Sequence, residues 1–450
     1  MRNDTLDMLN GPILKRMVEF SIPLIFSNVL QLLFNTADLV IVGNFAGSEC
    51  LAAVSATGSI TALLTSLFIG ISTGVNVLIA KYIGENNKEK ISLALHTSLL
   101  FGAILSTIVA IIGYFITDWC LVFTDCPANI FDLSSIYLKI IFMGMPAQLI
   151  FNYGVSALRA NGETKKPLDY LIVSGIINVV LNIMFILIFN MDVDGVALAT
   201  IISQYLSALF LMILLYRRDD DFNFSFSKLT IDKDILIELL RLGIPAGIQS
   251  CVFSISNLVL QIQYNSFGSD AVAAIGGAHT LESYTNAIVV AITTAGMTYV
   301  SQNYGAKNYE RIKKSIISMV VIELACGLLF IVFGLTCDKL FMSIFTDSKD
   351  IIEIGCQKIQ VSMFTYWIYG LCQSGSSAMR GLNYSHTPSI INLLGICGVR
   401  ILYIYTIFKA DPTLFNVMVT YPISWAVTAL IVWPLLFVFL RNKKKELALS

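Results

Sequence analysis

The chain has 450 residues, of which 56% are hydrophobic and 13% charged, and its formal net charge is −1. Soluble domains carry about 25% charged residues, so a soluble core is excluded and the class is integral membrane. A charge this close to zero also gives nucleic acid nothing to bind.

The polar start M-R-N-D-T-L-D-M-L-N runs directly into a full-length apolar span and is not expected to be a cleavable signal. That first span, about 15–43, exceeds the roughly 20 residues needed to cross a bilayer. Asn28, Gln31, Asn35 and Asp38 occur in it at steps of three, four and three, which puts them on one helical face. A carboxylate at the bilayer centre costs roughly 2.5–3.5 kcal/mol on insertion scales. The stripe is therefore expected to face protein or a wet cleft, and Asp38 marks an ion or proton path.

Further apolar runs predict spans at about 52–82, 91–116, 133–158, 168–190, 194–216, 240–266, 274–304, 315–337, 352–379, 388–408 and 417–440, twelve in all. With the N-terminus in the cytoplasm, 23 of the 29 Lys and Arg fall on cytoplasmic segments, from Arg2, Lys15 and Arg16 to the run ending at Lys445. Lys339, Lys349, Lys358 and Lys409 are assigned to the other side, and Lys139 and Arg400 to spans. Both termini are expected to be cytoplasmic.

The polar stretch 217–239 reads as a linker between an N-terminal bundle, 1–216, and a C-terminal bundle, 240–450. The two halves repeat. Pro23 aligns with Pro245, S-E-C-L-A-A at Ser48 with S-D-A-V-A-A at Ser269, Gly84 with Gly305, F-T-D at Phe123 with F-T-D at Phe345, and Ala157 with Ala378. The offset is always 221 or 222 residues, a signature of duplication. Six spans per half is an even number, so the predicted fold is all-α: two six-helix bundles related by a pseudo-two-fold axis along the membrane normal. A central cleft between such bundles suits alternating access.

Span five places Asn178 and Asn182 on one face, and span six brings Thr200 about one and a half turns in. With Asp38 these offer oxygen ligands suited to a small hard cation such as Na+; a proton would need only Asp38. Span seven repeats the polar stripe as Ser250, Ser254, Asn257 and Gln261 without a carboxylate, so ion coupling is expected in the first half. Asn28, Gln31, Asn35, Asn257, Gln261 and Glu282 are candidates for a substrate cleft. Glu323, Lys139 and Arg400 are ionisable within spans and are read as ion pairs or snorkelling side chains. Pro146 and Pro434 are possible kink sites.

Nine cysteines occur without a C-x-x-C pair, and most lie in apolar runs as small filler. Cys120 and Cys126 are near enough in sequence to pair. His96, His279 and His386 have no metal-ligand spacing. No nucleotide-binding loop or hydrolase motif occurs, so neither ATP-driven pumping nor catalysis is expected, and no cofactor beyond a bound Na+.

P-L-I-F-S-N at Pro23, D-L-V-I-V-G at Asp38, A-L-R-A-N-G-E-T-K-K-P at Ala157, G-V-A-L-A-T-I-I-S-Q at Gly195 and A-M-R-G at Ala378 resemble the multidrug and toxic compound extrusion (MATE) family, in its DinF-like bacterial branch. The resemblance covers the whole chain. It implies an inner-membrane antiporter, taken here as a monomer, that exports organic, often cationic compounds in exchange for Na+ or H+. It also implies coupling at Asp38, with Asn178, Asn182 and Thr200 beside it. Many members have an aspartate where this chain has Asn182, which leaves a single carboxylate. A flippase for lipid-linked sugars is the alternative in the same superfamily, but it calls for a strongly basic cleft.

Overall fold

The computed structural model describes residues 5–449, with side chains through 445, so Arg2 lies outside the described residues. Twelve long helical segments follow one another: α1 (Ile13–Ile41, continued as a wide π-type turn Val42–Ala46), α2 (Ser48–Gly84), α3 (Lys88–Phe123), α4 (Phe131–Ala160), α5 (Lys165–Leu187), α6 (Val193–Tyr216), α7 (Lys233–Asn265), α8 (Ser269–Gly305), α9 (Tyr309–Thr336), α10 (Lys349–Gly381), α11 (His386–Phe408) and α12 (Leu414–Leu449). Ten are long and apolar enough to cross a membrane. The exceptions, α8 and α10, pack on each other and are buried along much of their length, so they face protein and can be less apolar.

Two compact units emerge, one built on Phe26–Gly247 and the other on Asp7–Ile25 and the chain from Ile248. The division falls inside α1 and α7, near Pro23 and Pro245. The stretch 217–239 lies within the first unit: Phe224 is buried and stacks on His96 of α3 at 5.6 Å, and Ser225 N–H donates to His96 Nε2 at 3.1 Å. Arg218 holds it as well, pairing with buried Glu163 at 2.6 Å and with Asp220 at 2.6 Å.

The duplication is visible in the devices that start helices. Gly47 and Gly268 both have φ above +90°, a conformation glycine adopts without Cβ strain, and each opens a helix of 37 residues. Asn87 and Asn308 each cap the next helix by accepting from a backbone N–H three residues on.

Within the first unit, α2 and α7 cross at backbone contact. Gly70 and Gly74 face Gly243 and Gly247; a Cβ at Gly74 would lie 2.7 Å from Leu239 O, and one at Gly243 would lie 2.7 Å from Ile71 O. This is the small-xxx-small crossing of membrane helices on both partners.

In α11 the α-helical pattern widens to π geometry at Leu393–Gly398 and again at Ile404–Phe408, on either side of Arg400. Pro146, Pro422 and Pro434 lie inside α4 and α12. All nine cysteines, Cys120 and Cys126 included, are free thiols.

Candidate functional site

Five helices of the first unit turn polar side chains toward one cavity of about 120 Å³, α2 through Thr65, which accepts from Gln148 at 3.4 Å. From α1 come Gln31, Asn35 and Asp38; from α4, Gln148 and Asn152; from α5, Ser174 and Asn178; from α6, Thr200, Ser203, Gln204 and Ser207. One turn further along α1, α5 and α6, the apolar Ile41, Ile186 and Val196 belong to a buried cluster that closes the polar region on that side.

Asp38 is the cavity's only acid. Its carboxylate accepts from Asn182 Nδ2 at 2.7 Å, and the same Nδ2 lies 3.5 Å from Asn178 Oδ1. Asn178 and Asn182 are buried because each sits on the inner face of α5, one turn apart. Asn182 Oδ1 is buried and has no donor. Thr200 donates its hydroxyl proton to Val196 O at 3.0 Å, which leaves its oxygen lone pairs available. Among the described residues no Lys, Arg or His nitrogen lies within 4.0 Å of Asp38. The set is therefore one unpaired carboxylate with amide and hydroxyl oxygens around it, and an orphan acceptor beside it. Oxygen-only groups with surplus lone pairs suit a small hard cation or a proton.

The structure thus brings together Asp38, Asn178, Asn182, Thr200, Gln31 and Asn35. Asn28 is not part of the cavity wall. Gln148, Asn152, Ser203, Gln204 and Ser207 were missed in the sequence. Their signal was available as polar residues three or four apart inside apolar helices.

The second-half candidates lie elsewhere. Asn257 accepts from Arg400 Nη1 at 2.8 Å, and Gln261 donates to Asn265 at 2.9 Å. Glu282 is buried, pairs with Lys358 Nζ at 2.9 Å and accepts a short hydrogen bond from Ser362. Lys358, assigned from sequence to the non-cytoplasmic side, is a buried residue of α10. The charge count places it near the start of the predicted span 352–379, whereas the structure sets its carboxylate partner Glu282 opposite it on α8. The bases within spans are consequently Lys139, Arg400 and Lys358. Lys139 pairs with Asp118 at 3.1 Å, and Glu323 is buried against Gly370 of α10.

The family model MatE matches residues 23–184 and again 245–406, once per repeat. Probable multidrug resistance protein YoeA of Bacillus subtilis (strain 168) is 30% identical over 422 residues, covering 92% of this chain and 91% of that protein. Multidrug export protein MepA of Staphylococcus saprophyticus is 24% identical over 396 residues, covering 87% of each chain. The solved structure of a MATE protein in its bent conformation superposes with a TM-score of 0.92 over 99% of this chain and 100% of its own, at 21% identity.

Proposed function

The chain belongs to the MatE family of membrane transporters and is a multidrug exporter rather than an enzyme, and we propose that it drives export by exchanging a cation at Asp38. Its substrates are small organic compounds, of cationic or amphipathic character in our reading. Placement in the DinF-like branch rests on the motifs at Pro23, Asp38, Ala157, Gly195 and Ala378. The relatives are bacterial, and the reading places both termini on the cytoplasmic side, where most Lys and Arg fall.

The carrying observation is an acid in a polar cavity with no basic partner. In one state Asp38 holds the ion as a carboxylate, with Asn178, Asn182 and Thr200 supplying oxygen. In the other the ion is gone, and the charge cannot persist uncompensated in a low-dielectric site. Release of the ion is thereby tied to capture of the next positive group, a proton or a cationic substrate. The ion is Na+ or H+: the orphan oxygen of Asn182 serves either as a ligand to a cation or as acceptor for the O–H of a protonated Asp38.

The test is export by Asp38→Asn in proteoliposomes, with Na+ and pH gradients imposed separately. The reading expects uphill export to vanish while dye binding persists. Uphill export by this variant on either gradient overturns it, and wild-type export driven by one gradient alone identifies the ion.

A further inference from the structure

We propose that the second unit holds a monovalent anion against Arg400, either a halide or the carboxylate head of an organic acid. This does not depend on the role of Asp38.

The argument starts from charge. Lys358 and Arg400 are each about 1% exposed and lie against the ring of Tyr421, with Lys358 Nζ 4.0 Å and Arg400 Cζ 4.4 Å from its centroid. Glu282 balances Lys358. Among the described residues no carboxylate oxygen lies within 4.0 Å of Arg400. The cluster carries two buried cations and one anion, in a part of the chain where an uncompensated charge is costly.

Hydrogen-bond accounting points the same way. Arg400 Nη1 donates to Asn257 at 2.8 Å and Nε to Ser424 Oγ at 3.2 Å, while Nη2 is buried with no acceptor. Two further donors around Tyr421 are buried without a partner: the indole Nε1 of Trp425 and the hydroxyl of Tyr264. The ring of Trp425 lies 5.9 Å from that of Tyr421, and Tyr264 belongs to the apolar cluster against which Tyr421 packs. None of the acceptors nearby reaches these donors. Glu282 Oε1 takes both Lys358 and Ser362, and Asn257 Oδ1 takes Arg400 Nη1. A site with surplus donors and surplus positive charge calls for a ligand that only accepts and is negative. A halide or a carboxylate satisfies both requirements, whereas a water accepts from two donors but brings no charge and two donors of its own.

The experiment uses the full chain in lipid nanodiscs at constant ionic strength. Sodium sulfate is replaced stepwise by sodium chloride in one series and by sodium salicylate in another. Thermal unfolding and tryptophan fluorescence are the readouts. Saturable stabilisation by chloride alone identifies a halide site; saturation by salicylate, with or without competition from chloride, identifies a carboxylate site. Arg400→Gln should abolish saturation. Tyr264→Phe, which removes one donor and keeps the ring, and Trp425→Phe, which removes the indole N–H and keeps an aromatic group, should each weaken the apparent affinity about tenfold. These two variants decide the matter if Arg400→Gln does not fold. No saturation by either anion in the wild type, or unchanged affinity in both donor variants, overturns the proposal.

Discussion

Asn182 donates to the Asp38 carboxylate at 2.7 Å across 144 residues of chain, joining α5 to α1. It is the only hydrogen-bond donor to Asp38 among the described residues, and it is itself fully buried. A neutral amide at this position orients the carboxylate without repelling it.

Asn182→Leu therefore strands the carboxylate in a partly desolvated cavity. A hydrogen bond to a charged group contributes about 1.5–3 kcal/mol. We expect the rate of export in proteoliposomes to fall at least about tenfold at saturating dye. Asn178→Ala should cost less, since Asn178 meets Asp38 only through Asn182. Equal losses in the two variants would contradict this ordering.

The Glu282–Lys358 pair makes a prediction about stability. Lys358→Met leaves a buried carboxylate alone and should lower stability by about 3–5 kcal/mol. The double variant Glu282→Gln/Lys358→Met should recover most of that loss, because two neutral groups of similar size remain. Unfolding in detergent, followed for both singles and the double, gives the coupling energy. Additive losses would mean that the ion pair is not what holds these two helices together.

The glycine crossing of α2 and α7 tolerates no side chain. Gly74→Leu and Gly243→Leu place carbons where backbone atoms of the other helix lie. Overpacking costs about 1–3 kcal/mol where the surroundings can give, and here they are main chain. The expected result is loss of folded protein on size-exclusion chromatography, with Gly58→Leu as the control, since a Cβ there meets nothing within 4 Å.

Arg218, just beyond α6, should confer an acid-sensitive contribution. Burial disfavours the charged form of Asp220, but the hydrogen bonds and charge of Arg218 outweigh it and hold the carboxyl below the ordinary aspartate range. A depressed carboxyl adds stability above its unfolded value, about 3.9, and loses it as pH falls through the folded value. Asp220 is half exposed, so its share is at most about 1 kcal/mol. Glu163 is 2% exposed and keeps Lys166 at 2.9 Å when Arg218 is replaced, so Arg218→Gln should cost about 1.5–3 kcal/mol near neutral pH, the worth of one hydrogen bond to a charged group. Thermal unfolding between neutral pH and about pH 3 checks both limbs.

The spans were legible because lipid demands long apolar helices, and the repeat because turn residues such as Gly47 and Gly268 recur at a fixed distance. Asp38 and Asn182 stood out since a polar group in an apolar run has few innocent uses. What stayed hidden was pairing. Lys358 looks like a charge on the non-cytoplasmic side until Glu282 is found opposite it, and Asn257 looks like cleft lining until Arg400 reaches it. Stripe periodicity assigns a face, but it does not say what that face meets. The low hydropathy of α8 and α10 has the same origin, because each is apolar only to the degree that protein, not lipid, surrounds it.

The wide turn Leu393–Gly398 lodges a surplus residue in α11 just ahead of Arg400. A turn that takes up a surplus residue keeps the helix beyond it in the register it would have had without that residue, so the guanidinium stays over Tyr421. Excise one residue there and the turn heals to ordinary pitch with Arg400 on the same face. Add one where no such turn absorbs it and everything downstream swings by roughly 100°.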